Sequence, residues 1–253
     1  MKKTVLLFFA AAGILLLNSC QTTKEITIKD NGEGTMITTT DMSGLIGLAK
    51  MAGKEEDVKK LNMNEKIDTI ISLTELAEGL SQLSANEKAI VKKGKLGLNM
   101  DLPNEKLVTV LDLPFTNLTQ IAEIDALSGK IAQEVLRKQI DSSGKDLKEG
   151  DGDLPTGSMD AYFKTTYSKG MIERKLDTEK YKNVDSDEEM KGLKEMAGMG
   201  MMNSVTIFNL PKAAKKVTGK NAMLSEDKKK VTVTTGMEDF FDDATKLEFR
   251  IEY

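Results

Sequence analysis

Short segments in which apolar and polar residues alternate, with turn residues between them, constrain the fold of this chain most strongly. Ile26 and Ile28 alternate with polar residues, and the turn sequence Asp30–Gly34 separates them from a β-branched segment at Thr35–Thr40. The Asn-Gly pair within that turn favours the positive φ that a tight hairpin needs. This part of the sequence therefore predicts a β-hairpin.

The same pattern recurs along the chain. Leu96–Leu102 alternates strictly and returns at Leu107–Leu113, and Ala161–Ser168 returns at Met171–Leu176 after a Lys-Gly turn. Both pairs of segments predict further hairpins. Three more strands are predicted near the C-terminus, around Val205 and Ile207, around Val231 and Val233, and from Leu247 to Tyr253.

Helical periodicity separates these hairpins, because apolar residues recur there at every third or fourth position. Met42–Ala52 and Ile67–Leu80 both follow this spacing. Gly129 lies inside a long predicted helix and favours a bend or a break in it. Patterns that predict the start of a helix, with Glu or Gln three residues later, occur at Ser84, Asn117, Ser186 and Thr235.

Two strands followed by a helix recur three or four times, although the sequences of these units are not alike. Hairpins form antiparallel pairs, and a helix must bury its apolar stripe against another element. We therefore predict an α+β fold with a twisted antiparallel sheet built of hairpins and helices packed on one face. Residues 25–253 form a single domain in this prediction, with a helical insertion near 51–93. The stretch near 141–158 is predicted as a long surface loop, with a linker between two halves as the alternative.

The N-terminus has the pattern of a bacterial lipoprotein signal. Two lysines in the first three residues precede an apolar run at 5–17, and Cys20, the single cysteine of the chain, follows closely. The run is shorter than the roughly 20 residues that span a bilayer and has the length of a signal-peptide core. Residues 17–20 resemble a lipobox, although Asn18 departs from the usual small residue. This resemblance implies that residues 1–19 are removed and that Cys20 is lipidated; the alternative is a free or buried structural cysteine.

Residues 20–24 are interpreted as the lipidated cysteine and a short polar tether, so the membrane is the first predicted partner, through the lipid on Cys20. Several acyl chains on one residue give firm anchoring, since each buried CH₂ contributes about 0.8 kcal/mol. In the lipoproteins that this segment resembles, an acidic cluster after the cysteine marks export to the outer surface. Glu25 stands alone here. We therefore predict an outer-membrane lipoprotein that faces the periplasm.

The composition argues against several classes of function. The 36 basic and 40 acidic side chains give a net charge of −4, and removal of Lys2 and Lys3 makes it more negative, which argues against a nucleic-acid partner. The chain has no histidine, so a Ser-His-Asp triad and a histidine-based zinc site are excluded. No other nucleophile–base pair can be named. We therefore predict a non-enzymatic protein without a cofactor.

Both ends of the chain resemble a known family. The N-terminal stretch ITIKDNGEGTMITTTDMSGLIG is similar to the opening hairpin of LppM-like envelope lipoprotein domains and of related Bacteroidota-type lipoproteins. The C-terminal stretch VTIFNLPKAAKKVTGKNAMLSEDKKKVTVTTGMEDFFDDATKLEFRIEY resembles their closing strands. The resemblance covers about a third of the chain and contains no catalytic motif. It implies an anchored α+β domain in the cell envelope without known enzyme chemistry.

Three segments have the side chains to bind ions or carry chemistry, and each has a simpler interpretation. Met196, Met199 and Met201 offer thioether ligands for Cu(I), but they do not lie on one face of a regular helix. Asp146–Asp153 lacks the spacing and the terminal glutamate of a calcium loop. The acids of Asp185–Glu189 fit the start of a helix, where they favour the positive end of the dipole. We therefore predict no metal site and no catalytic residue.

Methionine is abundant, with 15 residues, and it packs adaptably around varied apolar groups. We hypothesise that Met196, Met199 and Met202 line a cleft for an apolar ligand, with Phe240 and Phe241 as neighbours. The leading hypothesis is a lipid-anchored envelope protein that binds an apolar ligand or an envelope protein partner. The alternative is a structural or assembly lipoprotein that docks on an outer-membrane component.

Overall fold

The computed structural model describes residues 20–44, 66–80, 83–142, 159–197 and 202–253. Its described strands are β1 Cys20–Ile28, β2 Gly34–Asp41, β3 Ile67–Ser72, β4 Lys95–Asp101, β5 Lys106–Phe115, β6 Phe163–Ser168, β7 Met171–Leu176, β8 Met202–Asn209, β9 Lys216–Thr218, β10 Ala222–Leu224, β11 Lys230–Gly236 and β12 Phe249–Glu252. Its described helices are α1 Leu73–Gly79, α2 Ala85–Val91, α3 Gln120–Ser142, α4 Thr178–Tyr181, α5 Glu188–Ala197 and α6 Met237–Asp243. The predicted α+β fold class is confirmed.

The strands form two sheets instead of the single sheet expected from the sequence. Sheet A has eight strands in the order β10-β11-β8-β1-β2-β5-β4-β3, and sheet B has four in the order β6-β7-β12-β9. Neighbouring strands are antiparallel except for β1 and β8, which run parallel. A parallel pair needs a long crossover, and this one joins the N-terminal hairpin to strands near the C-terminus.

The three predicted hairpins are confirmed as β1–β2, β4–β5 and β6–β7. In the first, Gly32 has a φ of 86°, the positive value that the Asn-Gly sequence favours. The N–H of Lys29 donates to the carbonyl of Glu33 at 2.8 Å and closes the turn. Alternation, β-branched residues and turn residues together were therefore sufficient to locate these paired strands.

One face of sheet A, called here the inner face, carries the main core. Ile26, Leu113 and Phe208 project from it and are at most 1% exposed. Helix α3 packs against this face through a fully buried stripe of Ile121, Ile124, Leu127 and Ile131. Sheet B closes the core from the same side, and the ring of Phe249 on β12 lies 5.6 Å from that of Phe208. Helices and sheet B thus cover the inner face.

The apolar segment Ile67–Leu80 was predicted as one helix, and this prediction is wrong for its first half. Residues 67–72 form β3, which pairs with β4, and α1 begins only at Leu73. Ser72 ends the strand and caps the helix, since its side chain accepts a hydrogen bond from the N–H of Thr74. The predicted helical insertion near 51–93 therefore contains a strand of sheet A. The short strands β9 and β10 were not predicted.

Helix starts were predicted with mixed accuracy. The capping box at Ser84 is confirmed, because Ser84 Oγ accepts from the N–H of Glu87 and the carboxylate of Glu87 accepts from the N–H of Ser84. Helix α6 is capped at Gly236 without a side-chain hydrogen bond, so the predicted cap at Thr235 is wrong. Helix α3 runs through Gly129 without a break.

The terminal segment alternates as predicted, with Leu247, Phe249, Ile251 and Tyr253 buried and the intervening charged residues at least partly exposed. Two other predictions fall on residues that are not described. The predicted first helix lies outside the described residues beyond Gly44, and the predicted long loop lies outside them from residue 143 to 158.

Candidate functional site

Cys20, the predicted lipidation site, is the first residue of β1 at one end of sheet A. Residues 20–24 were expected to form a tether, but they form the first half of a strand that is paired on both sides. Gln21 lies opposite Asp41 on β2 and opposite Asn203 on β8. The chain is therefore held in the sheet from Cys20 onward.

Lys24 fixes this strand from the inner face by ion pairs. Its Nζ lies 2.6 Å from a carboxylate oxygen of Asp125 on α3 and 3.1 Å from one of Asp160, in the 3-10 turn before β6. Asp160 also accepts from Arg174 Nη1 on β7 at 2.6 Å. The network of Lys24, Asp125, Asp160 and Arg174 therefore ties β1 to α3 and to sheet B.

The charges of this network are strongly interdependent. Burial by itself lowers the pKa of Lys24, but the attraction of Asp160 and Asp125 outweighs burial and the net shift is upward. Burial by itself raises the pKa of Asp160. The positive charges of Lys24 and Arg174 lower it by more than burial raises it, so the net pKa lies below its usual range. Burial and then the charge of Asp125 raise the pKa of nearby Tyr167. Near neutral pH Lys24 stays protonated and Asp160 stays ionised, so this pair fits a structural clamp better than acid–base catalysis.

Arg174 connects the clamp to a cluster of packed rings, called here the aromatic layer, which consists of Tyr162, Phe163, Tyr181, Phe240 and Phe241. Its guanidinium carbon lies 4.0 Å from the centroid of the Phe163 ring, a distance that fits a cation–π contact. Its Nε and Nη2 are buried and have no hydrogen-bond partner among the described residues. The aromatic face therefore replaces part of the hydration that this cation loses.

Phe240 and Phe241, the predicted neighbours of an apolar ligand, belong to this aromatic layer on α6. Phe240 is fully buried, and its ring centroid lies 5.5 Å from that of Tyr162, 5.3 Å from Tyr181 and 5.0 Å from Phe241. Tyr181 Oη also donates to the carbonyl of Phe240 at 2.5 Å. Phe240 is therefore enclosed by other rings, while Phe241 is partly exposed.

The predicted methionine lining is only partly located. Met196 lies in α5 and Met202 begins β8, but the positions of their side chains are not described. Met199 lies outside the described residues. Met190 and Leu193 of α5 are buried against the aromatic layer. The structure thus brings Phe240 and Phe241 together without testing the three methionines.

The acids at the start of α5 have structural partners. Asp187 accepts from Tyr162 Oη at 2.6 Å and from the N–H of Met190 at 3.4 Å. Asp185 and Glu188 form ion pairs with Lys194 and Lys191, respectively. Within the part of the chain that the structure describes, no three acidic, histidine or cysteine side chains converge as a metal site would require. The predicted calcium-like loop at Asp146–Asp153 lies outside the described residues.

A groove of about 340 Å³ lies at sheet B, between β7, β12 and the turn after β9. Its charged groups are mostly satisfied within the fold. Arg250 pairs with Glu173 at 3.1 Å, and Glu248 accepts from the N–H of Leu176 at 2.9 Å. The groove therefore offers little unpaired charge to a ligand.

The second face of sheet A, called here the outer face, carries apolar side chains that are not buried. Ile70 is 75% exposed, and Val110, which lies in line with it across Gly97, is 37% exposed. Half-exposed apolar residues and many threonines continue this face across the central strands, including Ile37, Thr39, Val108, Val205, Ile207 and Thr232. All described residues on this face are at least partly accessible to solvent.

No family model, curated protein or solved structure matches this chain. None of the described helices combines the length and the apolar character that crossing a membrane requires.

Proposed function

We propose that this chain is a lipid-anchored protein of the bacterial outer membrane that faces the periplasm and docks on another envelope component, without catalysing a reaction. The observation that carries the proposal is the placement of Cys20. It follows an apolar run of signal-peptide length, and it is the first residue of β1 at one end of sheet A. Acylation at the first residue of a strand leaves the pairing of the rest of that strand intact.

Intact-mass measurement of the protein extracted from membranes tests the anchor. We expect a chain that begins at Cys20 and carries acyl chains. Cys20→Ser should abolish the added mass and release the protein from the membrane, whereas the neighbouring control Gln21→Ala should change neither. If Cys20→Ser stays on the membrane with its mass otherwise unaltered, the anchor is not at Cys20.

The outer face of sheet A supports a protein partner. Its eight strands, spaced about 4.8 Å apart and about seven residues long at roughly 3.3 Å each, present about 900 Å². A stable interface needs about 800 Å² from each partner and an apolar centre. Ligand sites are usually concave, whereas this surface is an open sheet with half-exposed apolar residues. This geometry favours docking over the capture of a small molecule.

A photo-crosslinking residue at Val110 tests the docking surface in living cells. We expect a discrete adduct from Val110, and we expect Ile70→Lys to weaken it, because a charge would enter an apolar interface. The same crosslinker at Lys175, on sheet B, is the control and should give no such adduct. An adduct that Ile70→Lys leaves unchanged would rule out this face as the interface.

The apolar-ligand alternative keeps its own test. It predicts that residues 21–253 bind a fluorescent fatty acid at micromolar concentration and that Met196→Lys abolishes this binding. The enclosure of Phe240 by neighbouring rings argues against its contact with such a ligand. Absence of binding would leave docking as the better account.

A further inference from the structure

The strand register defines which residues lie level with Cys20 at the end of sheet A where β1 begins, called here the anchor end. Gln21 is opposite Asp41, and Asp41 is opposite Val108 on β5. One residue further toward the anchor end, the N–H of Met42 donates to the carbonyl of Leu107 at 2.8 Å. Leu107 is opposite Met100 on β4, and Met100 is opposite Ile67 on β3. A level row therefore runs from Cys20 through Met42, Leu107 and Met100 to Ile67.

This row is apolar and separate from the main core. Met100 is 3% exposed, and Ile67, Leu98 and Leu107 pack around it and are partly buried. The register of the paired strands places the row level with the backbone of Cys20, and its members on β3, β4 and β5 share one face of the sheet. An apolar row thus starts level with the predicted lipid attachment point and crosses the strands of sheet A at the anchor end.

The distances leave the domain little freedom. Neighbouring strands lie about 4.8 Å apart, so Leu107 is about 10 Å and Ile67 about 19 Å from Cys20 across the sheet. Since β1 is paired from its first residue, no flexible chain separates the sulfur of Cys20 from the folded domain. Acyl chains on Cys20 therefore enter the bilayer within one side-chain length of this row.

The charges beside the row have both signs. Lys66 lies 3.8 Å from Asp101, and Glu105 and Lys106 follow in the turn between β4 and β5 and at the start of β5. A surface with paired opposite charges around an apolar strip suits the zwitterionic headgroups of a neutral lipid surface. It does not suit strong attraction to an anionic one.

We infer that the anchor end of sheet A rests directly on the lipid surface, with the turn Leu102–Glu105 and the start of β3 against the headgroups. This inference rests on the proposed lipidation of Cys20. It assigns an orientation: the strands of sheet A rise from the membrane, and the β1–β2 turn at Asp30–Gly34 points away from it. The outer face of sheet A is then presented sideways to components in the same membrane.

Two lysines form a matched pair for the test. Lys106 begins β5 at the anchor end and Lys95 begins β4 at the far end, and both are exposed on the outer face. Lys95 lies opposite Asp112, six residues from Lys106, so the two positions differ by about 20 Å along the strands. Because Cys20 is the sole native cysteine and its thiol is consumed by lipid, Lys106→Cys and Lys95→Cys each provide one reactive thiol.

Each lipidated variant is purified from membranes, labelled with an environment-sensitive fluorophore and reconstituted into phosphatidylcholine vesicles that contain a headgroup-labelled quenching lipid. We expect the label at position 106 to be quenched about twofold or more relative to position 95, given their separation of about 20 Å. Equal quenching, or stronger quenching at position 95, would overturn the inference. Failure of both variants to carry acyl mass or to bind vesicles would instead refute the proposed anchor.

A variant with a linker tests whether the domain is oriented on the vesicle by the direct attachment of β1 to the lipid. Ten Gly and Ser residues inserted between Cys20 and Gln21 keep the lipid but add about 17 Å of flexible reach. We expect this insertion to remove most of the difference between the two labels. A difference that survives the insertion would mean that the orientation does not come from the anchor strand, and it would overturn the inference.

Discussion

Lys24 is the residue at which substitution tests the ion-pair clamp most directly. Its side chain is 18% exposed and lies between Asp125 and Asp160. Lys24→Met leaves both carboxylates without their shared cation in a poorly hydrated site. We expect a loss of about 1–3 kcal/mol in the free energy of unfolding, because removal of one partner leaves buried charge uncompensated and this site keeps some solvent. Urea unfolding of residues 21–253 measures it.

Lys182→Met is the matched control for this prediction. Lys182 pairs with Glu179 at 2.7 Å, but the two side chains are 66% and 81% exposed. An exposed pair contributes little, so we expect a change within about 0.5 kcal/mol. Equal losses in the two variants would mean that the clamp contributes no more than a surface ion pair.

The shifted pKa values predict how the clamp responds to pH. The lowered pKa of Asp160 means that its contribution to stability is present above the usual value of 3.8 and is lost as pH falls through the lowered value. The raised pKa of Lys24 means that its contribution is present below 10.5 and is lost as pH rises through the raised value.

We therefore expect the stability difference between the natural chain and Lys24→Met to be constant between about pH 5 and 9 and to shrink outside that range. Urea unfolding midpoints across the pH range measure it. A difference that changes steeply near neutral pH would contradict this assignment of charges.

The clamp was invisible in the sequence for a physical reason. Alternation in β1 puts Lys24 on the same face as Ile26 and Ile28, so a lysine on the buried face was predictable. Its partners were not, because Asp125 and Asp160 belong to a helix and a 3-10 turn that only the folded chain brings to β1. Local patterns carry no information on such distant pairings.

At the scale of elements, two glycines in neighbouring hairpins of sheet A give a contrasting pair. A Cβ at Gly34 would lie 1.8 Å from the carbonyl oxygen of Thr27 and 2.4 Å from the ring of Phe115. A Cβ at Gly97 would lie 3.5 Å from Val110, an ordinary contact. We expect Gly34→Ala to lose about 2 kcal/mol or more because the strands must separate, while Gly97→Ala should be neutral or slightly stabilising.

Thermal unfolding of the two alanine variants checks this contrast. The far-UV circular dichroism of both should remain that of a folded α+β protein at low temperature. A similar fall in melting temperature for both would contradict the close packing of Gly34 between β1 and β5.

Sequence periodicity predicted some of these strands correctly and failed for one of them. Alternation located β1 and β4, because half-buried strands leave a two-residue pattern, and β-branched residues after the Asn-Gly turn located β2. Ile67–Leu80 was misassigned, since its apolar residues fit a helix, although residues 67–71, four of which are β-branched, pair with β4. The strand gives way to the helix at Ser72, whose side chain accepts from the N–H of Thr74, and a serine alone is too weak a signal to predict this boundary.

At the scale of the molecule, unfolding should be a single cooperative event. The main core contains Ile26 from the first strand and Ile251 from the last, and β1 pairs with β8 across the chain. The chain has no tryptophan, and its four tyrosines all lie after residue 160. Tyrosine absorbance therefore reports the C-terminal half, while far-UV circular dichroism reports the whole chain.

We expect the two signals of residues 21–253 to give coincident urea transitions. This result would support the single domain predicted for residues 25–253 over two halves joined by a linker near 141–158. Tyrosine absorbance that changes at a separate urea concentration would favour two independent halves.

The parallel pairing of β1 and β8 lay beyond sequence analysis. Hairpins are local and leave turn residues as evidence, whereas a parallel pair between Cys20–Ile28 and Met202–Asn209 joins segments without any shared local pattern. For this reason the hairpins were found and their assembly into two sheets was not.

The central position of β1 also has a mechanical consequence. If a partner held by the domain pulls against the lipid on Cys20, the load runs along the axis of β1. Eight residue pairs join this strand to β2 and eight join it to β8, so the bonds on both flanks are strained together in shear. Among the described strands β3, at the rim of sheet A, pairs with β4 alone through six residue pairs, so it would share the same tension among fewer bonds. If Cys20 carries the proposed anchor, the load therefore falls on a strand that is held along both sides.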